Sequence, residues 1–62
     1  MMPTTITMYL EICDEKDFAY LVSDGNDQDW LAKSAVKSKR KIRNDDWEIQ
    51  VSRTYAQKKG WI

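Results

Sequence analysis

The sequence predicts a mostly β (or small α+β) domain. Five short antiparallel strands are expected to form a bent sheet or an open Src-homology-3-like or oligonucleotide-binding-like barrel, finished by a short C-terminal helix. Three observations carry this. Apolar residues recur with period two in several segments. Polar clusters at Asp14–Asp17, Ser23–Asp27 and Asn44–Asp46 separate those segments at hairpin spacing. One stretch after Ser52 has helix start and stop signals.

From Thr5 to Cys13, Ile6, Met8, Leu10 and Ile12 alternate with Thr7, Tyr9, Glu11 and Cys13, the pattern of a half-buried strand. Asp14-Glu15-Lys16-Asp17 reads as a turn. Phe18–Val22 reads as the second strand, with Phe18, Tyr20 and Val22 on one face, and the two strands make a hairpin. Ser23-Asp24-Gly25-Asn26-Asp27 is a loop rich in residues that tolerate positive φ. Gln28–Lys33 forms a short third strand carrying Trp30 and Leu31, and Ser34-Ala35-Val36 turns the chain, with one helical turn an option. Lys37–Arg43 is a fourth strand in one reading and part of a helix in the other, since Ala32–Lys41 holds good helix formers. Trp47, Ile49 and Val51 alternate with Glu48, Gln50 and Ser52 as a fifth strand. Ser52 can cap a helix from Arg53 to Lys59, Gly60 can end it, and Trp61 and Ile62 would fold back onto the core.

Sixty-two residues make a single domain, 1–62. A chain this short buries only about 60% of its unfolded surface. Cys13 is the only cysteine and histidine is absent, so neither a disulfide nor a zinc site is expected to supplement the core. Three Trp, three Tyr and one Phe supply the large apolar groups. Trp30, Trp47 and Trp61 are expected mainly in the core, Tyr9 exposed opposite the apolar face, and Tyr55 in either place. The lone thiol fits a reducing compartment. Met1-Met2-Pro3-Thr4-Thr5 has neither the positive n-region nor the apolar run of a signal peptide, and no segment approaches the roughly 20 apolar residues of a membrane span. A cytoplasmic protein without membrane contact is the expectation.

Leu21-Val22-Ser23-Asp24-Gly25 followed by Trp30-Leu31-Ala32-Lys33-Ser34-Ala35-Val36, with Lys58-Lys59-Gly60-Trp61-Ile62 at the end, resembles small proteins encoded by phages and prophages. In those the third strand typically reads Trp, Leu or Ile, Pro, Lys, Ser, and the tail reads Lys-Lys-Gly-Leu-Ile. The likeness covers about residue 18 to the end. The chain departs from it at Ala32, where proline is usual, and at Arg53-Thr54-Tyr55-Ala56, where a Trp precedes the Ala. The resemblance implies a phage or mobile-element origin and a compact β-rich fold. It implies no activity.

Catalysis is not expected. Acid–base work near neutral pH usually employs histidine or a carboxylate in a buried cleft, and the carboxylates here cluster in turns. Cys13 lacks a histidine base and sits in a strand, where a small half-buried residue is its ordinary role. Asp24-Gly25-Asn26-Asp27-Gln28-Asp29 has the alternate oxygens of a calcium loop, but Asp29 stands where glycine would shape it and Ala35 where glutamate would close it. No cofactor or metal is expected.

Charge is the sharpest feature. Residues 1–32 hold seven acids against Lys16, and residues 33–62 hold nine bases against Asp45, Asp46 and Glu48, so a neutral total hides halves of −6 and +6. Lys33, Lys37, Lys39, Arg40, Lys41 and Arg43 fall within eleven acid-free residues. On a strand, alternate cations would line one face about 7 Å apart, close to the phosphate spacing of a nucleic-acid strand. One expectation is therefore a nucleic-acid partner, single strand or duplex. Lys33, Lys37, Lys39, Arg40, Lys41, Arg43 and Arg53 would contact phosphates, and Tyr9 or Tyr55 would stack on bases. Against it stands a lysine-rich edge strand that merely resists aggregation. The alternative expectation is a protein-binding modulator or inhibitor of a host or phage protein. Asp14, Glu15, Asp17, Asp24, Asp27 and Asp29 would then imitate phosphates, or the edges would pair in a homodimer.

Overall fold

The structure, a computed structural model, describes residues 4–62; the reading made of Met1-Met2-Pro3 lies outside the described residues. The chain runs β1 (Thr5–Glu15), β2 (Ala19–Ser23), β3 (Gln28–Ala32), a 3₁₀ turn (Lys33–Ala35), β4 (Val36–Arg43), β5 (Asp46–Ser52) and α1 (Arg53–Lys59). The five strands form one antiparallel sheet in the order β3-β2-β1-β5-β4. The mostly β architecture with a terminal helix is as expected. Strand, not helix, is the state of residues 37–43.

Connectivity forces this sheet to curl. The edges of a flat five-stranded sheet lie about 19 Å apart, at roughly 4.8 Å per strand. Only the 3₁₀ turn separates the ends of β3 and β4, and four residues span at most about 14 Å. The edges must therefore be drawn together. Lys39 on β4 accordingly reaches the ring of Tyr20 on β2 at 5.7 Å. The sheet bends at β1, whose first half pairs with β5 and whose second half pairs with β2. A bulge at Cys13 shifts the β1–β2 register between Ile12 and Asp14.

The concave face holds the core. Register places Ile6, Met8 and Leu10 opposite Val51, Ile49 and Trp47, and Ile12 opposite Val22. Leu10, Val22, Leu31, Ala35, Ile49 and Val51 are buried together, with Tyr20, Tyr55 and Trp61 packed against them. Ser52 caps α1 by accepting from the Tyr55 N–H, and Gly60 ends it at φ 77°, a left-handed conformation that glycine adopts without Cβ strain.

Several expectations need correction. Asp14 and Glu15 lie in β1, because the bulge lets the strand continue past the predicted turn. Phe18 precedes β2, which begins at Ala19 rather than at Phe18, and is 85% exposed. Cys13 is exposed, as the bulge takes it out of the ladder. Trp30 is 41% exposed because it pairs with Leu21 on the convex side, while Trp47 and Trp61 are half-buried. Trp61 folds back onto the core as expected; Ile62 remains 58% exposed. Among the described residues no helix is long and apolar enough to cross a membrane.

Candidate functional site

The basic strand does not present the predicted ribbon. β4 is bulged at both ends, between Val36 and Ser38 and between Lys41 and Arg43, so its alternation is regular only from Ser38 to Lys41. Directly paired residues share a face of a sheet. Lys39 and Lys41 oppose Ile49 and Trp47 on the concave side, whereas Arg40 and Arg43 oppose Glu48 and Asp46 on the convex side. Single-face presentation of Lys37, Lys39, Lys41 and Arg43 is thus corrected, because two bulges reset the period-two pattern.

The convex cations face carboxylates. Arg40 bonds Glu48 at 3.0 Å, and Arg43 lies 3.5 Å from Asp46. Tyr9, 66% exposed, lines an open groove with Ile42 and Arg43, but Glu11, Asp24 and Asp46 line it too. A phosphate entering there meets three acids.

On the concave side Lys39 lies 4.2 Å from the Trp47 ring centroid as well as against Tyr20. An exposed cation–π contact is worth only about 0.5–1 kcal/mol. Lys33 lies 5.1 Å from the Tyr20 ring centroid and bonds Glu15, a hydrogen bond that raises its pKa. Among the described residues neither Lys37, Lys39 nor Lys41 has a carboxylate within ion-pair distance. Arg53 opens α1 at the far end of β5 from Lys41 and Arg43, and its N–H donates to the Thr4 carbonyl.

The acidic set is only partly gathered: Asp24, Asp27 and Asp29 line one open cleft together with Met8, Leu10 and Trp61. Glu15 is paired with Lys33, and Asp29 bonds Lys59 at 2.9 Å. That bond holds Asp29 below the usual carboxylate range and raises Lys59. Asp24 accepts from the backbone N–H groups of Asp27 and Asn26, which lower its pKa and tie it into its own loop. Asp14 accepts from the Glu15 N–H, and Asp17 lies in the β1–β2 turn. Asp14, Glu15 and Asp17 lie outside that cleft, so the structure brings together three of the six predicted acids. Cys13 has its thiol pushed up, first by desolvation and then by the Glu11 carboxylate, so it stays protonated near neutral pH.

The two sheet edges differ sharply. On β3 the outward Ala32 N–H donates to the Tyr55 hydroxyl at 3.1 Å, and that hydroxyl donates to the outward Trp30 carbonyl at 3.2 Å. Tyr55 is therefore a surrogate strand partner rather than the stacking platform considered above. Trp61 packs edge-on against it at 5.8 Å, and the Lys59–Asp29 pair holds the tail beside β3.

β4 has no such cover among the described residues. Arg53 N–H to Thr4 and Ile12 N–H to Asp45 fix which backbone groups β5 spends on β1: those of its odd-numbered residues. Its even-numbered residues then bond Ser38 and Arg40, and the backbone N–H and C=O of Lys39 and Lys41 point outward. Sequence reasoning found these lysines but missed this role, because edge status depends on strand order. No family model matches the chain, and no curated protein or solved structure is significantly similar to it.

Proposed function

We propose that this chain is a non-catalytic protein-binding module that accepts an extended segment of a partner protein along β4. The carrying observation is the outward-facing backbone of Lys39 and Lys41 on the one edge that neither helix nor tail covers among the described residues. Added strands draw affinity from main-chain hydrogen bonds and specificity from alternate side chains. Two lysines facing one way also disfavour pairing with a second β4, which sets like charges opposite each other. A partner strand is thereby favoured over self-association through this edge.

Nucleic acid is the weaker reading. The three β4 cations without ion-pair partners among the described residues, one of them in a bulge, predict a salt slope of only about −2 to −3 for contact along this strand, far from a committed phosphate track. The phage-like sequence pattern makes host and phage proteins of a reducing cytoplasm the natural pool of partners.

The test is an amide-resolved NMR titration with an eight-residue peptide alternating valine and glutamate. Strand addition shifts and protects the Lys39 and Lys41 amides and leaves those of Ser38 and Arg40 bonded as before. Lys41→Pro, which deletes an outward donor without touching the β5 ladder, weakens binding. A single-stranded oligonucleotide that shifts these amides where the peptide does not would overturn the reading in favour of a polyanion partner.

A further inference from the structure

We infer that the strand accepted by β4 is acidic and carries carboxylates two residues apart, placed opposite Lys39 and Lys41; this rests on the strand-addition reading above. A residue directly opposite another on a neighbouring strand shares its face. The groups opposite Lys39 and Lys41 therefore project to the concave side, where these two ammonium groups have no carboxylate partner among the described residues. The intervening partner residue lies over Arg40, whose charge Glu48 already compensates. It has no electrostatic requirement. The pattern sought is acid-x-acid, with x uncharged.

Lys39 adds a built-in signal. Its ammonium rests on the π-faces of Trp47 and Tyr20, at 4.2 and 5.7 Å, and not on a carboxylate. A charge-assisted hydrogen bond is stronger than such a contact. An arriving carboxylate draws the ammonium off Trp47, and the indole reports the change. The same lysines exclude basic strands, so one pair of residues supplies both attraction and rejection.

The experiment compares the valine–glutamate peptide with its glutamine counterpart, followed by amide protection and by tryptophan emission. Two cross-strand ion pairs correspond to roughly two- to thirtyfold in affinity, diminishing with salt. The glutamate peptide should bind tighter by that factor, and Lys39→Gln with Lys41→Gln should remove the difference. Emission should change on binding in the native chain but not in Trp47→Phe, which still protects the Lys39 and Lys41 amides. Equal affinity of the two peptides, both protecting those amides, overturns the acidic pattern and leaves strand addition standing. Absence of protection by either peptide overturns both.

Discussion

Removing one oxygen atom, by Tyr55→Phe, isolates what covers the β3 edge. The ring stays available to pack against Trp61, but the Ala32 N–H and the Trp30 C=O lose their common partner. A net intramolecular hydrogen bond is worth about 0.5–1.5 kcal/mol, which bounds the pair at about 1–3 kcal/mol. Both contacts exceed 3.0 Å and the Trp30 side is partly open to water, so the lower half applies, about 1–2 kcal/mol. A chain of 62 residues has about 3–9 kcal/mol in total, making this a large fraction. The corresponding fall in Tm is about 5–15 °C. Urea unfolding followed by circular dichroism should show a lower midpoint at unchanged slope. Tyr9→Phe, at an exposed hydroxyl, should lie within about 0.5 kcal/mol of the native chain. Equal stabilities for Tyr55→Phe and the native chain would refute the surrogate-partner role.

Leu31→Ala, at a side chain with no exposed surface, should cost about 2–5 kcal/mol and leave much of the population unfolded at 37 °C by circular dichroism. Gly60→Ala meets no atom within 4 Å, so its expected loss of about 1–2 kcal/mol in urea unfolding reflects the left-handed backbone alone. For the Asp29–Lys59 pair, the depressed carboxyl contributes stability above its unfolded pKa of about 3.9, lost as pH falls through the lower folded value. The raised ammonium contributes below about 10.4, and its share is lost as pH rises through the higher folded value. The near-ultraviolet signal of Trp61 should therefore be flat between about pH 5 and 9 and change only outside that window. A transition near neutrality would contradict the pairing.

Much of the fold was legible because its signals are local. Ile6 to Ile12 and Trp47 to Val51 alternate as half-buried strands must, and Ser52 and Gly60 bracket α1 as cap and terminator. The bulges at Cys13 and at both ends of β4 were not legible, since an extra residue is defined only against the strand it pairs with. They split the basic run between two faces and turned a predicted stripe into a pair of concave lysines and a pair of compensated arginines. Tyr55 is ambiguous for the same reason: its hydroxyl bonds residues more than twenty positions away. Strand order, which leaves β4 at the rim, follows from how the whole sheet closes.

Amide hydrogen exchange in the isolated chain, resolved at residues 38 to 41, bears most directly on an open β4 rim. The Ser38 and Arg40 amides, bonded to β5, should exchange slowly, and those of Lys39 and Lys41 at close to the rate of free peptide. Slow exchange at Lys39 and Lys41 without any partner would mean that this rim is already occupied, and strand addition there would be ruled out.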